Sequence, residues 1–150
     1  HMNERPLATL LLAEVKDPTS YGIAKFRRKN RHLEVEKLVE KPTKKQAQDY
    51  RVDGKYYATC GAYVFEPRIF EYIEQTRPGH GGEVQITDSL ALAIKEGERV
   101  LSVELAGRYL DIGKWSTVLQ VEKDMLREHT VEFHAKEREK MVRRVEEKWG

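Results

Sequence analysis

Five strand-length runs, at residues 7–15, 21–26, 33–39, 57–65 and 100–105, constrain this fold more than any other feature. The first is almost wholly apolar. Asp17-Pro18-Thr19-Ser20 then supplies a turn, and residues 21–26 alternate as a half-buried strand does. A basic tip, Arg27-Arg28-Lys29-Asn30-Arg31, leads into residues 33–39, so this stretch reads as a β-hairpin. Residues 44–54 are polar and suit a loop or short helix. Gly61 interrupts the apolar run 57–65, marking a bulge or a close approach by another group.

Between the last two runs the period changes. Glu66-Pro67 opens a helix whose expected buried face is Ile69, Phe70, Tyr72 and Ile73. After the glycine-rich loop at residues 77–82, Thr87 or Asp88 can cap a second helix running through Leu90, Leu92, Ala93 and Ile94 to a stop at Gly97. Residues 109–113 read as a strand end carrying one acid, Asp111. Residues 114–149 read as helical in two segments, divided around 127–130, with Glu132/Lys136 and Glu139/Arg143 at i,i+4 spacing. Strands and helices in this order predict an α/β domain with a mixed sheet.

The charge balance excludes some partners. Lys and Arg total 27 against 25 Asp and Glu, which gives no global attraction to nucleic acid or an anionic membrane. The apolar run 7–13 is too short to span a bilayer, and a cytoplasmic location is expected. Cys60 is the only cysteine, so the chain has no internal disulfide or cysteine-ligated zinc site. His1-Met2 reads as a cloning scar.

Val39-Glu40-Lys41-Pro42 is the most suggestive short motif. Glu40 offers two acceptor oxygens suited to a pair of sugar hydroxyls, and Lys41 a compact charge with three donors suited to a phosphate. Pro42 disfavours the α region for Lys41, so the pair is expected in extended backbone leaving a strand. Read alone, the same residues also describe a solvated strand end.

Together, Tyr21-Gly22, Val39-Glu40-Lys41-Pro42, Ala58-Thr59-Cys60-Gly61-Ala62-Tyr63, the block Pro78-Gly79-His80-Gly81-Gly82-Glu83-Val84-Gln85-Ile86-Thr87-Asp88 and Leu110-Asp111-Ile112-Gly113 resemble, in order and spacing, the C-terminal half of sugar-1-phosphate nucleotidyltransferases. The resemblance covers residues 7–126. Its glycine-rich block is most similar to UTP:glucose-1-phosphate uridylyltransferases, with thymidylyltransferases as the near alternative; Leu110-Asp111-Ile112-Gly113 is closer to the thymidylyl and guanylyl branches.

The resemblance implies a nucleotide-diphospho-sugar transferase-like fold, with residues 3–126 as the sugar-phosphate half and 127–150 as a helical tail. It implies that Lys41 holds the phosphate of glucose 1-phosphate, Glu40 the glucose hydroxyls, and Asp111 a Mg²⁺ ion, a hard cation that takes oxygen ligands. Gly22, Thr59, Gly61 and Tyr63 would line the sugar pocket, and Glu83 could touch it. Each has a plainer alternative: a turn-capping Asp111, Thr59 and Tyr63 as packing residues, Glu83 as a helix-dipole partner, Cys60 as a small core residue.

The family's other half carries an N-terminal glycine-rich loop and a second metal-binding aspartate. This sequence contains neither, its densest glycine run being residues 78–82. The expectation is therefore a truncated or split-gene chain that is inactive alone, takes UTP only with the complementary half, and hides its open sheet by self-association or by pairing with that half.

Overall fold

The computed structural model describes residues 1–113, 115–132 and 147, and it divides into two compact units, His1–Tyr109 and Leu110–Gly150. The first unit holds β1 (Ala8–Val15), β2 (Gly22–Lys29), β3 (His32–Glu40), α1 (Lys44–Ala47), β4 (Tyr56–Phe65), α2 (Ile69–Gln75), α3 (Ile86–Lys95) and β5 (Val100–Glu104). The five strands close into a barrel in the order β1-β4-β2-β3-β5, with β1 and β5 parallel and every other neighbour antiparallel. The class expected from sequence, α/β with a mixed sheet, is what forms.

Ring closure modifies the expectation of open edges. Each strand finds partners on both sides, although β2 meets β4 only through Ile23↔Ala58 and Ala24↔Tyr57, and β3 meets β5 only through Leu33↔Ser102 and Glu34↔Leu101. The apolar face is nevertheless present: Leu11, Ala62, Val64 and Val103 line a groove on the outside of β4, β1 and β5, with Val64 and Val103 more than half exposed.

Strand alternation sets the core. Ala8, Leu10 and Leu12 of β1 are fully buried while Thr9 and Leu11 between them are only partly so. Ile23, Phe26, Val35, Leu38 and Val100 are also buried, as are Leu90 and Ala93 of α3, which packs on β3 and α2. Each buried Leu or Ile contributes about 2 kcal/mol of burial free energy. In α2, Ile69 is buried and Tyr72 and Ile73 are partly so, but Phe70 is 66% exposed, contrary to the expected face. A helix of seven residues turns only part of its circumference toward its neighbour.

The hairpin and its basic tip are ion-paired. Arg27 reaches Glu34 and Glu36, Arg28 reaches Glu104, and Lys29 reaches Glu34. The polar stretch after β3 forms α1, entered through a capping box in which the Gln46 N–H donates to Thr43 Oγ1 while Gln46 Oε1 accepts from the Thr43 N–H at 3.0 Å.

In the second unit, α4 (Trp115–Glu132) runs unbroken through residues 127–130, so the expected division there does not occur. Residues 109–113 form no strand; the Gly113 N–H donates to Asp111 Oδ1 at 2.8 Å, a local turn in place of a ladder. The expected pairs at 132/136 and 139/143 lie outside the described residues.

Candidate functional site

The β2–β3 ladder delivers the first pair of candidate residues. Gly22 opens β2 and is paired with Glu40 at the end of β3, while β4 lies on the other side of β2 through Ile23↔Ala58, bringing Thr59 alongside. A Cβ built on Gly22 would stand 2.9 Å from Glu40 Oε2, 3.0 Å from Thr59 Oγ1 and 2.7 Å from Thr87 Oγ1. All three distances are too short for an ordinary contact. Three side-chain oxygens from β3, β4 and α3 thus converge on one glycine, where absence of a side chain leaves room for polar groups.

Thr87 joins this cluster although its sequence context is that of a possible helix cap. The structure places the N-cap at Gln85, two residues before Thr87, with no side-chain cap bond, and puts Thr87 inside the first turn of α3 at 3% exposure. No local sequence signal separates this buried threonine from a helix cap; its place beside Gly22 comes from the approach of β2.

Lys41 differs from its expected backbone. It is not extended but takes φ of 40°, while its N–H donates to the Tyr21 carbonyl at 3.0 Å. The fully buried Pro42 behind it and the last ladder bond before it fix this residue from both sides. A non-glycine residue held at positive φ is locally strained, costing on the order of 1 kcal/mol or more. Its ammonium is left on an exposed side chain beside Glu40.

Gly61 marks a bulge, as expected. Leu10 pairs with Tyr63 and Leu12 with Thr59, so Leu11 alone on β1 faces Cys60, Gly61 and Ala62 on β4, and Gly61 adopts φ of 72°. The bulge keeps Thr59 and Tyr63 in one environment. Burial pushes the Tyr63 phenol up; contact with the Thr59 side chain pulls it down, and the Glu40 charge raises it again. Tyr63 also stacks on Phe65, with ring centroids 5.4 Å apart. Burial raises the Cys60 thiol, in keeping with an inert core residue.

The structure gives Glu83 a different setting. It is exposed at the end of a short 3₁₀ turn, where its carbonyl accepts the Gly79 N–H at 2.9 Å. A Cβ on Gly79 would meet the Asp88 carboxylate, which would have to move aside to admit it. Asp111 belongs to the second unit and makes the turn-capping bond to Gly113 described above.

A glycine ringed by a carboxylate and two hydroxyls, with an ammonium on the residue that follows the carboxylate, can bind a polyol carrying an anionic group. This geometry and the fold around it agree with the comparisons to known proteins. The nucleotidyl transferase family matches residues 1–128, and the chain belongs to that family. It is 37% identical over 84 residues to a UTP–glucose-1-phosphate uridylyltransferase of Bacillus subtilis, covering 56% of this chain and 26% of that protein. It is 31% identical over 122 residues to a glucose-1-phosphate thymidylyltransferase of Streptomyces griseus, covering 81% of this chain and 31% of that protein. Its fold superposes on a crystal structure of UDP-glucose pyrophosphorylase complexed with UDP-glucose with a TM-score of 0.69 and 25% identity, across 81% of this chain and 44% of that one. The resemblance carried by the motifs is thereby borne out. The chain spans about a third or less of the two curated relatives' lengths.

Proposed function

We propose that this chain is the sugar-phosphate half of a UTP:glucose-1-phosphate uridylyltransferase. The convergence of Glu40, Thr59 and Thr87 on Gly22, next to Lys41, carries the reading. Glu40 accepts hydrogen bonds from two glucose hydroxyls, Thr59 and Thr87 offer hydroxyls that donate or accept, and Lys41 holds the phosphate as a point charge. Tyr63 closes the pocket and Gly61 gives its strand the needed kink.

In the reaction, a phosphate oxygen of glucose 1-phosphate bonds to the α-phosphorus of UTP, and the bond from that phosphorus to the bridging oxygen breaks, releasing pyrophosphate. No covalent enzyme intermediate is required. The contribution of these residues is to fix the nucleophile and neutralise its charge before the two anions meet. By the family resemblance, Asp111 would be a residue to hold Mg²⁺, which commonly takes one or two carboxylates together with substrate phosphates. When bound, Mg²⁺ would offset phosphate charge. Glu83 is assigned to the rim of the site.

The nucleotide is assigned to a complementary half, which would also cover the apolar groove of Leu11, Ala62, Val64 and Val103; a second copy of this chain is the alternative cover. The glucose-1-phosphate thymidylyltransferase reading is retained because that relative aligns over 81% of the chain, against 56% for the uridylyltransferase.

Calorimetry with glucose 1-phosphate, with and without Mg²⁺, tests the site on the full chain. Saturable binding that disappears in Lys41→Ala and Gly22→Val is expected; its absence in the parent chain would overturn the proposal. UTP and dTTP are then compared after mixing with a nucleotide-binding half, and pyrophosphate release by the isolated chain would refute the division of labour.

A further inference from the structure

Thr59 and Tyr63 stand four residues apart on β4, a separation of about 13 Å in a regular strand and too far for their side chains to meet. The bulge at Gly61 brings them together. Thr59 pairs with Leu12 and Tyr63 with Leu10, so the two occupy neighbouring places on one face, about 7 Å apart along the sheet. Gly61 makes the detour possible by taking φ of 72°.

The result is a polar pair. The Tyr63 hydroxyl and the Thr59 side chain are hydrogen-bonded, and the Tyr63 ring lies nearly parallel to that of Phe65, with 14° between the planes. Stacking fixes the ring and with it the position of the phenol oxygen. Thr59 Oγ1 is in turn one of the three oxygens around Gly22: it stands 3.0 Å from the place of a Cβ there, and Glu40 Oε2 stands 2.9 Å from the same point.

Acidity decides which hydroxyl donates. A phenol gives up its proton far more readily than an aliphatic alcohol, so Tyr63 donates and Thr59 Oγ1 accepts. Burial first, and the Glu40 charge after it, hold the phenol above its ordinary value against the opposing pull of Thr59, so the proton to be donated is retained. Thr59 then keeps its own proton for the cleft. Glu40 is the opposite kind of group, since a carboxylate has only acceptors.

We propose that Tyr63 is a positioning residue that sets Thr59 as a donor, so that Glu40 and Thr59 together select a ligand hydroxyl, which donates to the carboxylate and accepts from the threonine at once. An ammonium on the same carbon has no lone pair for Thr59, and a hydrogen there satisfies neither residue. The inference rests on the sugar-phosphate reading of this site and adds a reason for its demand for a hydroxyl.

The test is calorimetric titration of the full chain with glucose 1-phosphate and with its monodeoxy analogues at C2, C3, C4 and C6. One analogue should bind about tenfold or more weakly than glucose 1-phosphate, because it leaves both oxygens unpaired. Tyr63→Phe, which keeps the ring and removes the hydroxyl, should weaken glucose 1-phosphate by about three- to tenfold and narrow the gap to that analogue. Thr59→Val should do the same. Tyr63→Phe added to Thr59→Val should then change affinity by less than about twofold, since the chain of hydrogen bonds is already broken. Circular dichroism confirms that the variants are folded. A residue that only shapes the pocket would give additive losses and an unchanged gap; either result, or equal affinity for all the analogues, would overturn the role of Tyr63 while leaving the sugar-phosphate reading in place. Failure of the parent chain to bind glucose 1-phosphate would overturn that reading, and this inference with it.

Discussion

The Lys41 backbone N–H donates to the Tyr21 carbonyl at 3.0 Å, and Lys41 does so from a left-handed conformation with φ of 40°. The same residue carries the ammonium assigned to the phosphate, so backbone strain and binding can be separated by substitution. Lys41→Gly should relieve the strain, and urea unfolding is expected to show it equal to or up to about 1 kcal/mol more stable than Lys41→Ala. Both variants should lose glucose 1-phosphate binding. A glycine variant clearly less stable than the alanine one would show that φ at this position is not costly.

Gly22 offers a coupled test with Thr87. Gly22→Ala should cost roughly 1–3 kcal/mol in denaturant unfolding, because the added methyl must displace oxygens from three elements. Thr87 Oγ1 is the nearest of them, at 2.7 Å. In a Thr87→Ala background the same change should therefore cost less, with a coupling of about 0.5 kcal/mol or more. Strict additivity would mean that the two residues do not compete for the same space.

Glu34 sets a pH dependence. The hydrogen bond from Lys29 lowers its carboxyl most; burial opposes this, and Arg27 lowers it further. A depressed folded-state value means that the stabilisation is present above the unfolded carboxylate value of about 4.3 and is lost as pH falls through the lower folded value. Thermal unfolding of Glu34→Gln should therefore show a shallower loss of stability below pH 5 than the parent, with the two curves converging at the acid end.

Cys60 should be slow to alkylate. Burial raises its thiol, which reduces the thiolate fraction at pH 8 relative to a free cysteine. Mass-spectrometric timing with iodoacetamide should give a rate below that of a cysteine peptide, rising toward it in urea.

Much of this architecture was legible because its signals are local. The turn at Asp17, the glycine bulge at Gly61 and the stop at Gly97 follow from residue chemistry over a few positions, and the order of motifs placed Glu40 and Lys41 at the end of a hairpin. What escaped was decided by tertiary contacts. Thr87 has the composition of a cap, and only the approach of β2 turns it into a neighbour of Glu40. Phe70 fits a helical apolar stripe that a two-turn helix cannot fully bury. Pro42 disfavours one backbone region for Lys41, but it does not choose between extended and left-handed; the Tyr21 carbonyl and the burial of the proline do. Residues 109–113 look like a strand, yet Asp111 turns back on Gly113 before a ladder can form.

The bulge on β4 also dictates how this strand can change length. Between the Thr59 and Tyr63 pairings β4 advances four residues while β1 advances two, from Leu12 to Leu10. The surplus is even, so parity survives and both side chains keep the face they share. Loss of Gly61 and Ala62 together would straighten the strand without exchanging its inside for its outside. Loss of either one alone would reverse every side chain beyond the gap, placing Tyr63 where Val64 now faces the groove. Insertions and deletions in this segment should therefore be tolerated in pairs.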